Sequence, residues 1–199
     1  MGDVEEGPPV DPGWRDSLVG IAWLPTMFLV QWRIRRSKLP ALLLMRRFFV
    51  MFLTSFAFFG SARAGLDPRN PPWTARSAVA LGAAIVVFCL AELALMRRLV
   101  ERPLPCANPP SLAAMYRVRF FLRLAFASAP AMFGFTFSFV SGHWWVYLFG
   151  LAPAAVGMFM AAPTDAAIER EQRRLDAQGC SVNLLAALLE PRGGQLARP

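Results

Sequence analysis

The block Ser77–Met96, SAVALGAAIVVFCLAELALM, holds one ionisable side chain, Glu92, and is closed by Arg97 and Arg98. A helix with no polar face has nothing to offer water. About 20 such residues suffice to cross a hydrocarbon core roughly 30 Å thick. Three further blocks behave alike: about 42–64 around FFVMFLTSFAFFGSA, about 119–140, and 144–163 with Trp144, Trp145 and Tyr147 at its first boundary. Of the 199 residues, 56% are hydrophobic and 17% charged, against about 45–50% and 25% in soluble domains. The pattern excludes an ordinary water-soluble globule and a disordered chain. It predicts an all-α polytopic bundle of four transmembrane helices in a cell membrane (inner or plasma membrane).

The flanks read differently. Residues 1–16 are acidic and rich in Pro and Gly, the composition of a solvated, disordered tail. Their acidity is the opposite of a signal peptide's basic start. Residues 18–32, LVGIAWLPTMFLVQW, are interrupted by Pro25 and at 1.5 Å per residue fall short of the core thickness. They are expected to lie in the interface, anchored by Trp14, Trp23 and Trp32, with a short fifth span as the alternative. Together 1–41 form the leading region and 42–163 the membrane domain. The tail, 164–199, reads as soluble and helical. Thr164 or Asp165 can cap a first helix that stops at Gly179. Ser181 can cap a second, whose Leu184, Leu185, Leu188 and Leu189 share a face fit to dock on the membrane, the bundle or a partner.

Twenty-one Lys and Arg against thirteen Asp and Glu give a net charge of +8. These bases cluster where apolar blocks end, so they point to anionic lipid headgroups and not to nucleic acid. Seven precede or open the first span, five flank the connection between the second and third, and five are in the tail; three flank the connection between the first and second, and Arg123 is left inside a span. Four spans thus put 17 on one side and 3 on the other, which predicts a cytoplasmic C-terminus. Arg46 and Arg47 are expected to snorkel to the headgroups. Cys106 and Cys180 would face a reducing compartment, Cys89 lipid, and no disulfide is expected. A single histidine, His143, and three cysteines without a CxxC spacing give no metal site, and no cofactor motif is present.

Polar groups forced into lipid are the site candidates. Glu92 and Arg123 fall near the same boundary and are expected to pair, either to fix helix packing or to relay ions. Pro130 and Pro153 each free a backbone carbonyl one turn earlier, at Phe126 and Phe149, with Ser128 and Thr136 as local partners. Gly134, Gly150 and Gly157, with Gly150-x-x-x-Ala154, permit close helix approach. A packed, kinked hairpin and a hydrated pathway are both consistent with this pattern. His143, beside two tryptophans, reads as an interfacial anchor.

The stretch Ala125–Phe135, AFASAPAMFGF, resembles the carboxylate-bearing helix of the ATP synthase c subunit at Ala127, Ala129, Ala131, Phe133 and Gly134. Ser128 stands where that family places its proton-carrying carboxylate, so the resemblance implies close packing and not proton transport. The Ala, Arg and Pro usage resembles that of small integral membrane proteins of high-GC, actinobacterial-type bacteria. No nucleophile has a base beside it in sequence. The expected role is therefore a non-enzymatic structural or accessory subunit with a protein partner or a second copy. A small transporter or channel subunit built on the third and fourth spans is the alternative.

Overall fold

The computed structural model describes residues 11, 13–18, 40–66, 71–100, 104, 106 and 108–190. Most of the segment 18–32 and the last residues, 191–199, lie outside them. The described residues are helical and contain no strand. The elements are α1 (Arg15–Leu18), α2 (Ala41–Ala64), α3 (Ala75–Val100), α4 (Pro109–Ser141), α5 (Val146–Ala161), α6 (Asp165–Ala177) and α7 (Leu184–Leu189).

Three of these, α2, α3 and α4, are long and apolar enough to cross a membrane. A fourth joins them if α5 and α6, bent by 57° at their junction, form one broken span. Alone, the 16 residues of α5 reach about 24 Å, short of a hydrocarbon core of roughly 30 Å. The protein is thus a membrane-embedded, all-helical chain with three to four candidate spans.

Helix α4 is longer than the sequence suggests. Its 33 residues begin at Pro109, well ahead of the span read as about 119–140. Pro109 and Pro110 occupy the first turn, where a missing N–H costs nothing. Asn108 caps that turn, its side-chain oxygen accepting from the Ser111 N–H at 3.1 Å.

The chain divides into two compact units. One comprises Met51–Arg102 and Arg119–Ala162. In it α3 packs on α5, with Ala78, Ile85, Cys89 and Val146 at the core of the contact. The turn from α4 to α5 is made by Gly142 at a φ of +77°. A side chain there would also strike Pro71 and Pro72. Arg63, only 2% exposed, donates to the Ser138 hydroxyl at 3.1 Å and to the Ser138 carbonyl at 2.8 Å. A cation thereby meets the carbonyl-rich end of α4.

The other unit comprises Met1–Val50, Pro103–Val118 and Pro163–Pro199. Thr164 caps α6 by accepting from the Ala167 N–H. Gly179, at φ +76°, closes it. The Cys180 N–H donates to the Leu175 carbonyl and the Gly179 N–H to that of Asp176, at 3.0 and 2.9 Å. These paired bonds define a Schellman stop. Asn183, and not Ser181, caps α7. Gln172 staples the two helices, accepting from the Leu184 N–H at 2.7 Å and donating to the Val182 carbonyl at 3.3 Å. Of the leucine face read as a docking surface, Leu184 and Leu188 are fully buried and Leu185 and Leu189 half-buried, so part of it is already covered. Contrary to the sequence expectation, Cys106 and Cys180 are joined by a disulfide.

Candidate functional site

The residues singled out on the third and fourth spans converge. Gly134 of α4 and Gly150 of α5 meet backbone to backbone. A methyl group placed on Gly134 would lie 2.9 Å from the Gly150 Cα and 2.9 Å from the Tyr147 carbonyl. One placed on Gly150 would penetrate the Pro130 carbonyl oxygen. Contacts that short leave no room for even one carbon, let alone a file of water. Lower on the same face, a methyl on Gly157 would meet Ala127 and the Leu93 side chain of α3, each at 3.1 Å. Small residues thus let three helices close at two levels. Pro130 and Pro153 are both buried, and the Pro130 carbonyl faces Gly150. Tyr147 adds a strut, its hydroxyl donating to the Phe56 carbonyl at 2.9 Å.

The polar candidates behave less as expected. Ser128 is buried, but its hydroxyl donates to the Ala125 carbonyl at 2.9 Å. Thr136 donates to that of Met132 at 3.0 Å. Neither serves the carbonyl freed by Pro130. Among the described residues no ion pair joins Glu92 to Arg123. One oxygen of Glu92 is buried without a hydrogen-bond partner, and Glu92 adjoins Leu93 at the Gly157 junction. His143 Nε2 lies 3.0 Å from the Trp73 carbonyl, and its ring stacks on Trp145. Those contacts suit an anchor.

A second polar centre was not foreseen. Arg46, expected to snorkel, is wholly buried. Its guanidinium donates to both carboxylate oxygens of Asp11 and to Asp165 at 2.7 Å. It also donates to the Gly13 carbonyl at 2.9 Å and to the Pro163 carbonyl at 3.3 Å. It lies 5.0 Å over the Trp14 ring, which packs edge-on against Phe49. Within the stretch read as a solvated tail, Asp11, Gly13 and Trp14 therefore contact α2, while residues 1–10 lie outside the described residues. Arg46 holds the Asp11 carboxyl well below the usual carboxylate range. Asp165 is pushed upward, chiefly because its carboxyl hydrogen-bonds to Asp11 and is partly desolvated; Arg46 pulls it down less strongly. An open cavity of about 370 Å³ beside them is lined by Asp165, Glu169, Gln172 and Asn183 among others. The only sequence signal for this centre was an arginine placed where lipid would otherwise surround it.

Comparisons with protein families, with characterised proteins and with solved structures find no match for this chain. The described residues contain no cluster of three or more His, Cys, Asp or Glu able to hold a metal.

Proposed function

We propose that this chain is a non-enzymatic structural or accessory subunit of a membrane complex. In this reading the chain has four spans, and the basic residues of 33–47, the α3–α4 connection and the tail favour the cytoplasmic side for all three. The observation that carries this reading is the contact of Gly134 with Gly150. The two proline-containing helices are sealed against each other where a substrate path between them would have to run. Sealed helices serve packing and assembly better than passage.

The contact face is the outer surface of α3. Only 28% of its most apolar window is buried, against 44% in α2 and α4. Val87 and Leu90 stand exposed there, open to lipid or to a partner's helix. The leucine face of α7 offers less, since Leu184 and Leu188 are already buried. A second reading, a small transporter or channel subunit, draws on the unpartnered buried oxygen of Glu92. Intramembrane carboxylates without partners are commonly functional.

Purification in a mild detergent, with identification of co-purifying chains, separates the two. A stoichiometric partner lost in Val87→Trp or Leu90→Trp supports the accessory role. Ion or solute flux in liposomes that vanishes in Glu92→Gln supports the rival and removes the first reading.

A further inference from the structure

Cys106 and Cys180 have Cα atoms 5.6 Å apart and are joined across 74 residues of sequence. The bond ties the connection preceding α4 to the joint between α6 and α7. Cys180 is placed there by local structure. It is the residue after Gly179 in the Schellman stop, where an apolar side chain packs back on the helix. Leu175 and Cys180 are accordingly 1% and 5% exposed. Backbone bonds alone keep that sulfur in position when the disulfide opens. Cys106 is exposed, two residues before the Asn108 cap. The third cysteine, Cys89, is fully buried in the α3–α5 core, which shields it from soluble thiols.

Both cysteines lie on the side that carries 17 basic residues in the four-span reading. That side is the cytoplasm by the positive-inside rule. Disulfides there are mostly transient and redox-sensing. We propose that Cys106–Cys180 is a reversible redox-modification site, exchanging with a low-molecular-weight cytosolic thiol such as glutathione. The inference rests on the orientation proposed above.

The exchange balances without a further reagent. A glutathione thiolate attacks the sulfur of Cys106, the exposed residue of the pair, and the electron pair of the breaking S–S bond leaves on Cys180, which takes a proton. A second glutathione thiolate attacks the glutathione sulfur of the mixed disulfide and releases the Cys106 thiolate. Two glutathiones become one oxidised glutathione, and one protein disulfide becomes two thiols; the reverse sequence closes the bond. In the open form α6 and α7 are held by Arg46 through Asp165 and Pro163 and by packing, no longer by a covalent strap.

The test uses the full chain carrying Cys89→Ala, in native membranes. It is equilibrated with glutathione at ratios from fully reduced to fully oxidised, quenched in acid and tagged with a polymer-bearing maleimide. The expected result is two tags at the reduced end and none at the oxidised end, with half conversion within the cytosolic range. Trypsin cleavage in α6, at Arg170, Arg173 or Arg174, should quicken roughly tenfold or more on opening. Two outcomes overturn the proposal and leave the orientation standing: a bond that survives excess reduced glutathione, or thiols that persist in pure oxidised glutathione. A membrane-impermeant maleimide is added separately to intact cells after a permeant reductant. Labelling of Cys106 from outside overturns the orientation, and the proposal with it; protection supports both.

Discussion

Gly134 and Gly150 touch through their backbones, each occupying the space a neighbouring Cβ would need. Replacing either with alanine forces the helices apart, because the obstructing atoms are backbone and cannot rotate away. Gly150→Ala should cost about 1–3 kcal/mol, the range for overpacking a tight contact. Gly157→Ala should cost less, since its nearest neighbours, the Ala127 and Leu93 side chains, lie at 3.1 Å, farther off than the backbone atoms that face Gly150. Unfolding in mixed detergent micelles ranks the two variants. Equal stability of Gly150→Ala and the parent protein would contradict the contact.

Arg46 is the polar counterpart of that seal. Arg46→Met strands the Asp11 carboxylate, and breaking a buried pair from one side costs about 3–5 kcal/mol. Arg46→Lys recovers only part of this, lacking the fork that grips both Asp11 oxygens. Asp165→Asn should cost under about 1 kcal/mol, because that side chain is 62% exposed. Thermal unfolding in mild detergent gives the order.

The two carboxylates respond to acid in opposite senses. Asp11 titrates below its ordinary value of 3.8, so its contribution is present above that value and fades only in stronger acid. Asp165 titrates above 3.8. Its contribution is full below that value and is lost as the pH rises through the folded pKa. The parent's melting temperature should therefore gain on that of Asp165→Asn as the pH falls from about 7 to about 4. Over the same interval its lead over Asp11→Asn should stay level, and collapse only below it. A lead over Asp165→Asn that shrinks on acidification would reverse the assignment.

Glu92 and Arg123 are near one boundary by sequence, yet no ion pair joins them. Exchanging the charges, Glu92→Arg with Arg123→Glu, should give no rescue over either single reversal in a double-mutant cycle. Glu92→Gln should be neutral or stabilising, since a buried acceptor without a donor is costly. Rescue by the swap would place the two side chains together.

Element existence was legible because apolar length needs no tertiary knowledge. The blocks around 42–64, 77–96 and 119–140 each fall inside a helix, and Gly134, Gly150 and Gly157 announced a close approach. Boundaries were less legible. Pro109 and Pro110 look like breakers until Asn108 places them in a first turn. The Arg46 centre was invisible for a different reason. Its partners Asp11 and Asp165 are 35 and 119 residues away, and a charge near a helix end satisfies the snorkelling rule equally well. The leucines of α7 showed the right face, but periodicity does not say what covers it. The disulfide ran against a compartment argument that speaks of persistence, not of proximity.

Helices α2, α3 and α4 reside in a bilayer, the premise of the packing, orientation and redox chemistry above. Alkaline carbonate treatment of membranes from cells making the chain tests this directly. The protein should remain in the pellet and be released only by detergent. Release into the alkaline supernatant as a folded, monodisperse species would contradict it.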